Sequence, residues 1–305
     1  MKNIKEGKQV GKGRSIFSMG FCLPDGVPRL RSKLHGFPVA CMLFVAMILA
    51  GNGAAIAQDF DHTHGQFDGV LKQFVQNGLV DYAGLKANPG KLDRYLDSLA
   101  KVTESQFNSW NEIQRLACLI NLYNAATLRL ILNHYPLKSI KDIGSLFKGP
   151  WDQPVVRFFG RTLTLNTLEH EILRKKYTEP GIHMALVCAA MGCPPLRGEA
   201  YVAEKLDAQL DDQAKQFLGN SIKFRIDRKK SVVFLSPIFK WYGEDFRGKY
   251  SPRAGFDGLN ETQRAVVNFC SRYLSPEDRS YLEAGGYSID FLDYDWSLNE
   301  RQAAK

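Results

Sequence analysis

Residues 110–135 decide the fold, and they read W-N-E-I-Q-R-L-A-C-L-I-N-L-Y-N-A-A-T-L-R-L-I-L-N-H-Y. This is the longest helical pattern in the 305-residue chain, and Pro136 follows it directly. A helix that is apolar on most of its faces is normally buried. We therefore expect a central helix around which the rest of the chain packs.

Shorter patterns surround this segment on both sides. Apolar residues recur at helical spacing in residues 59–78, 91–102, 166–177, 201–218, 238–246 and 259–274. Polarity alternates about a turn in residues 155–165 and again in residues 221–235, and each pattern predicts a β-hairpin. The expected class is α+β: a helix-rich single domain with a small, mainly antiparallel sheet of hairpins around a central apolar helix.

The N-terminal segment has the layout of a secretory signal peptide. Residues 37–50 form an uncharged apolar run, shorter than the about 20 residues of a membrane-spanning helix. Basic residues precede the run, and Ala55-Ile56-Ala57 ends the small-residue segment after it. We predict a signal peptide at 1–57 and one globular domain at 58–305, exported to the periplasm or secreted. An uncleaved anchor is the alternative, and the start codon, Met1 or Met19, is left open.

The basic charge belongs mostly to this leader. Residues 1–57 hold eight Lys/Arg and two Asp/Glu, so only +2 of the net charge of +8 remains in residues 58–305. The mature chain therefore gives no reason to expect a nucleic-acid partner or a membrane surface. We expect no stable membrane span after leader cleavage and a small-molecule or peptide ligand, with the oligomeric state left open.

Residues 182–197 read I-H-M-A-L-V-C-A-A-M-G-C-P-P-L-R and combine chemically versatile side chains with an apolar run. Residues 184–187 are expected to form a buried strand. On an extended strand His183 and Cys188 lie roughly 16 Å apart, so they cannot form a nucleophile–base pair with each other. For an exported chain, Cys188 and Cys193 are disulfide candidates, with a free reactive thiol or buried inert thiols as alternatives.

A second polar cluster lies in residues 165–173. Asn166 and Glu169 have the spacing of a helix capping box, which would explain both structurally. His170 is not explained in this way, and a neutral imidazole can act as a base. The catalytic candidates are therefore Cys188 as nucleophile if it is reduced, His170 as base, and Glu169 to orient the imidazole.

The central helix carries a third cluster. Asn121 and Asn124 lie three residues apart on one helix face, where they either contact a ligand or hydrogen-bond neighbouring backbone. In residues 238–246, Trp241 and Asp245 share a face, for which core packing and a surface carboxylate are the simpler interpretation.

These clusters occur in order with L-S-P-I-F-K-W-Y at 235–242, Y-D-W-S-L-N at 294–299 and G-L-V-D-Y at 78–82. Together they resemble the domain-of-unknown-function 547 family from about Phe67 to Asn299. The resemblance implies a domain boundary but little mechanism. The family's motif positions correspond here to Asn121, Asn124, Glu169, His170, His183, Cys188, Cys193 and Arg197.

Three functions are compatible with these patterns. The first is an exported hydrolase or transferase that uses a Cys–His pair in a cleft lined by His, Glu and Asn. The second is a noncatalytic domain that binds a ligand or partner through Asn121, Asn124, His183 and Arg197 and contains a Cys188–Cys193 disulfide. The third is a metal site at His170 and His183. No cofactor is expected, because the chain lacks a phosphate-binding glycine loop and a dinucleotide fingerprint.

Overall fold

The computed structural model describes residues 59–145 and 148–302. The predicted signal peptide and its cleavage point lie outside these residues. Eleven α-helices are found in the described part of the chain: α1 Gly65–Phe74, α2 Tyr82–Ala87, α3 Gly90–Ala100, α4 Glu104–Ser109, α5 Glu112–His134, α6 Arg174–Lys176, α7 Leu206–Leu218, α8 Pro237–Tyr242, α9 Arg247–Tyr250, α10 Glu261–Ser271 and α11 Pro276–Ala284.

The central helix is α5, as predicted. It begins at a capping box in which the Asn111 side chain accepts from the Gln114 backbone N–H and the Gln114 side chain accepts from the Asn111 N–H. The helix is long and apolar enough to cross a membrane, but 89% of its most hydrophobic window is buried within the fold. It is therefore the core helix of this domain.

Seven short strands pair in small sheets: β1 Val75–Gln76, β2 Leu79–Val80, β3 Pro154–Phe158, β4 Arg161–Thr164, β5 Phe224–Asp227, β6 Val232–Leu235 and β7 Ser288–Phe291. The predicted hairpins are confirmed as the antiparallel pairs β3–β4 and β5–β6. Strand β7 was not predicted. It lies parallel to β6, and its partner is more than fifty residues away in the chain. The helix-rich α+β class is confirmed.

The apolar core has two clusters of buried side chains. The larger one surrounds α5, and the second is built from α7, α8, α10 and the β5–β6 hairpin. Tyr294 packs against both clusters. Residues from both clusters also line the cavity described below, so the fold places that cavity where the two clusters meet.

The predicted strand at residues 184–187 is wrong. A 3₁₀ helix spans Pro180–Met184, and the following residues are irregular. Their backbone groups bond to side chains instead of a neighbouring strand: the Asn124 amide bonds Ala185 O and Val187 N–H, and Gln213 donates to Met184 O. The segment is buried, as expected, but without strand pairing the distance expected from an extended chain does not apply.

The predicted capping box at Asn166 and Glu169 is also wrong. Residues Thr167–Leu173 form a π-helix, and Asn166 itself has helical dihedral angles without a side-chain cap. The Thr164 hydroxyl accepts from the Thr167 N–H in its place. Glu169 is thus free of a capping role, and its carboxylate is directed to another part of the fold.

Candidate functional site

A cavity of about 330 Å³ lies between the two core clusters. Six aromatic side chains form much of its wall: Tyr123, Trp151, Trp241, Tyr242, Tyr294 and Trp296. Its polar lining is provided by Asn166, Glu169, His170 and His183, with Cys188 and Cys193 beside them. The structure therefore brings together all three predicted catalytic residues, one predicted binding residue and both cysteines.

Glu169 is held by tyrosine hydroxyls. The residue is 6% exposed, and its Oε2 accepts a hydrogen bond of 2.9 Å from the Tyr123 hydroxyl. The Tyr242 hydroxyl bonds the same carboxylate. Burial, followed by the negative charge of Glu169, raises the pKa of Tyr242 well above its usual value. Both phenols therefore remain hydrogen-bond donors at neutral pH, and they fix the carboxylate in the wall.

His170 is bound by an arginine one turn further along the helix. The Arg174 Nη1 donates to the His170 Nδ1 at 2.7 Å. Because a guanidinium can only donate, Nδ1 must be the acceptor and the ring proton must reside on Nε2. Neither ring nitrogen is therefore free to accept a proton while Arg174 stays in place.

Asp245 joins Arg174 to the second histidine. Arg174 donates twice to its carboxylate, from Nε at 2.6 Å and from Nη2 at 2.9 Å, and the His183 Nε2 donates at 2.8 Å. Burial alone would raise the pKa of Asp245, but these hydrogen bonds and charges outweigh it and hold the pKa well below the usual range. The interpretation of Asp245 as an ordinary surface carboxylate is wrong, because it orients both Arg174 and His183.

The ring of Tyr242 covers this polar group. It stacks on His183 with centroids 4.3 Å apart and an interplanar angle of 18°. The Arg174 guanidinium lies 5.0 Å from the centre of the same ring. Tyr242 therefore packs against Arg174 and His183 and bonds Glu169, so one side chain couples the two polar parts of the wall.

The cysteines of the lining are joined by a Cys188–Cys193 disulfide, as predicted. The Tyr294 hydroxyl lies 3.2 Å from the Cys188 sulfur and 3.0 Å from the Cys193 sulfur. A Cβ at Gly192 would stand 2.9 Å from ring atoms of Tyr294, so glycine permits this close packing. Cys118 and Cys270 are buried free thiols.

The other predicted binding residues lie outside the cavity lining. The Asn121 Nδ2 donates to the Tyr201 carbonyl, and the Asn121 Oδ1 accepts from the Tyr201 N–H. In the same way, the Asn124 amide donates to the Ala185 carbonyl and accepts from the Val187 N–H, in the segment before the disulfide. Arg197 forms ion pairs with Glu199 and Asp212. The polar groups of all three are thus used to fix loops against the core.

The described residues contain no group of three or more His, Cys, Asp or Glu side chains arranged to hold a metal ion. The His183 Nε2 donates to a carboxylate, and the His170 Nδ1 accepts from Arg174. Each of these bonds therefore occupies one of the ring nitrogens through which the histidine could bind a metal ion.

Sequence reasoning missed most of the aromatic wall. Trp241 is 46% exposed. Its ring centroid lies 4.9 Å from that of Tyr294 and 5.9 Å from that of Trp296, on which it stacks. Trp151 meets Trp296 edge-on. Three of the four tryptophans of the chain therefore line one cavity. The available signal was the density of aromatic residues in 294–296 and 241–242, two segments that the resemblance had already singled out.

Comparison with known proteins identifies the domain but no activity. Residues 107–218 match the model of the family described as "Protein of unknown function, DUF547". The matched segment includes α5, the π-helix and the disulfide turn. No curated protein and no solved structure matches the chain. The resemblance noted from the sequence is thereby confirmed for residues 107–218, the segment that matches the DUF547 model.

Proposed function

We propose that this domain binds a small organic cation in the aromatic cavity. One observation carries the proposal: among the described residues that line the cavity, Glu169 is the only Asp, Glu, Lys or Arg, and six aromatic side chains line the same cavity. A volume of about 330 Å³ lies at the lower end of the range for small-molecule sites, which favours a small ligand.

An aromatic wall and a carboxylate attract the same ligand. The face of an aromatic ring is electron-rich, and a desolvated cation over a tryptophan face gains about 2 kcal/mol. The carboxylate of Glu169 adds a full negative charge at a position with little water, where its attraction for a cation is strengthened. A neutral ligand of the same shape would gain from the apolar wall but not from the charge.

The cation that is bonded to the polar wall does not cancel this preference. Arg174 bonds His170, and its guanidinium is paired with Asp245 through two hydrogen bonds. The pair is neutral as a unit, so the charge of Glu169 is not balanced by it. The two tyrosine hydroxyls hold Glu169 in position without neutralising it.

A Cys–His hydrolase or transferase is the second candidate, favoured by the presence of Cys188 and His170 in one cavity. It requires a reduced Cys188, whose sulfur is bonded to Cys193, and a histidine nitrogen able to accept a proton, which Arg174 occupies. Binding needs neither change, so we prefer it. We also propose that the chain is exported, because a disulfide suits an oxidising compartment and the leader has the layout of a signal peptide.

Calorimetric titration with a charged probe and its neutral counterpart tests the binding function. Choline and 3,3-dimethyl-1-butanol have nearly the same shape, but only choline carries a positive charge. We expect choline to bind at least about tenfold more tightly, because one favourable cation–aromatic contact is worth that much. Equal affinities, or no heat with choline, would contradict the proposal.

Two variants and one control identify the groups responsible. Glu169→Gln keeps the size of the side chain and an oxygen acceptor for the tyrosines, so it should weaken choline binding and spare the neutral alcohol. Trp241→Ala should weaken the binding of both probes. Ile222→Ala is the control, because Ile222 is an exposed apolar residue outside the cavity lining and should leave both affinities unchanged.

A further inference from the structure

The disulfide is part of a cavity wall that a small molecule can reach. Cys188 and Cys193 both line the cavity, and Cys188 is half-buried whereas Cys193 is 3% exposed. A disulfide whose only role is to stabilise a turn can be completely buried in the core. This one joins a half-buried cysteine to a more protected one, an asymmetry that favours attack of a thiol at the Cys188 sulfur.

Hydrogen-bond donors converge on the protected sulfur. The Cys193 Sγ lies 3.0 Å from the Cys188 backbone nitrogen, which donates to it, and 3.0 Å from the Tyr294 hydroxyl, which is 3.2 Å from the Cys188 Sγ. A sulfur in a disulfide is a weak acceptor, whereas a thiolate is a strong one. These two donors therefore stabilise Cys193 more after the S–S bond breaks than before, as donors do when they face a developing charge.

A lysine adds positive charge next to the same residue. The Lys223 ammonium donates to the backbone carbonyl of Cys193 and is 7% exposed. Burial lowers the pKa of Lys223 to about 8, so the ammonium form of Lys223 still predominates at pH 7. A nearby cation lowers the free energy of a thiolate.

We propose that Cys188–Cys193 is a thiol–disulfide exchange site for small organic thiols that enter the aromatic cavity. The incoming thiolate attacks the Cys188 Sγ and forms a mixed disulfide, and the S–S bond breaks with its electron pair going to the Cys193 Sγ. Tyr294 and the Cys188 N–H donate to the resulting thiolate.

A second thiolate of the same kind then attacks the sulfur of the bound thiol. This releases the small-molecule disulfide and leaves Cys188 as a thiolate, so the substrate loses two electrons and the protein gains them. The reverse reaction, with the same small disulfide, restores the Cys188–Cys193 bond. The chemical steps of the exchange use neither Glu169 nor a positive charge on the ligand, so the exchange is tested separately from the cation proposal.

Alkylation after reaction with a thiol tests which sulfur is attacked. The full chain, without denaturant, is treated with 2-mercaptoethanol, quenched with iodoacetamide at successive times, and digested for mass spectrometry. We expect the mercaptoethanol adduct on Cys188 and the alkyl group on Cys193. Adduct on Cys193, or reaction only after denaturation, would overturn the proposal. Titration with choline reports on the cation proposal separately, because it measures binding to the oxidised protein.

The Tyr294→Phe variant tests the leaving-group role. Loss of one hydrogen bond to a thiolate should slow reduction about tenfold. Tyr287→Phe is the matched control, because its hydroxyl donates to Leu282 O, outside the cavity, and should leave the rate unchanged. An unchanged rate in Tyr294→Phe would remove the tyrosine from the mechanism and contradict the proposal.

A measurement without the disulfide covers the case in which Tyr294→Phe folds poorly. In a Cys188→Ala variant, thiolate absorbance near 240 nm, followed against pH, reports the pKa of the Cys193 thiol. We expect a pKa below the usual value near 8.5. A thiol that titrates at or above that value would show that the donors do not stabilise the thiolate, and the proposed direction of cleavage would be refuted.

Discussion

Replacing Asn124 by alanine tests whether the amides of the central helix serve the fold. Asn124 is 2% exposed, its Nδ2 donates to the Ala185 carbonyl at 3.0 Å, and its Oδ1 accepts from the Val187 N–H at 3.0 Å. Alanine removes both bonds and leaves a buried carbonyl and a buried N–H without these partners. Both groups belong to the segment that leads to the disulfide.

The expected loss follows from those two groups. A buried polar group left unsatisfied costs about 1–3 kcal/mol, so Asn124→Ala should lower the free energy of unfolding by roughly 2–6 kcal/mol. For a domain of this size each kcal/mol shifts Tm by about 2–4 °C. A fall in Tm on the order of 10 °C is therefore expected.

Urea and thermal unfolding followed by circular dichroism measure this loss. Asn133→Ala is the matched control, because Asn133 lies on the same helix but is exposed, and it should change the free energy of unfolding by less than about 0.5 kcal/mol. If Asn124→Ala is as stable as the control but fails to bind choline, the amide contacts ligand and the structural role assigned here is refuted.

Three further predictions concern the histidines and their partners. Burial lowers the pKa of His64 from 6.5 to about 4, so the free energy of unfolding should fall as pH drops below 6.5, by about 2 kcal/mol at pH 5, and His64→Gln should flatten this slope. Nitrogen-15 shifts of His170 should show the Nε2–H tautomer, and an Nδ1–H signal would contradict the role of Arg174. Asp245→Asn should lower the free energy of unfolding by about 1–3 kcal/mol in urea titrations, because Arg174 and His183 lose a charged partner. A stability equal to that of the wild type would refute the stabilising role of Asp245.

The elements that the sequence predicts well are those whose hydrogen bonds are local. Helix α5 has its capping box and its apolar surface within one segment, and each hairpin pairs residues that are close in the chain. Strand β7 pairs with β6 from a distant segment, so its four residues carry little local signal. The segment after His183 resembles a strand in composition, but its backbone partners are side chains of Asn124 and Gln213, which no periodicity reveals.

The same distinction applies to the candidate site. Glu169, His170, His183 and Cys188 stand out because polar residues interrupt apolar elements, and the fold does bring them to one cavity. Their partners come from far along the chain: Asp245 lies 62 residues after His183, and Tyr294 lies 106 residues after Cys188. Asp245 and Tyr294 are therefore recognisable in the sequence only as an acidic and an aromatic residue. Their roles in the site depend on tertiary contacts.

The contacts of two residues determine which chemistry the cavity can support without rearrangement. Arg174 can only donate, so its bond to Nδ1 deprives His170 of an acceptor nitrogen, and Tyr294 bonds sulfurs that are already joined to each other. A Cys–His enzyme would need the disulfide opened and Arg174 moved from a histidine and a carboxylate that it bonds simultaneously. Thiol exchange needs only an incoming thiolate, and cation binding needs only an open cavity. Because Arg174 is anchored by Asp245 and covered by Tyr242, reduction of the disulfide alone would not convert His170 into a base.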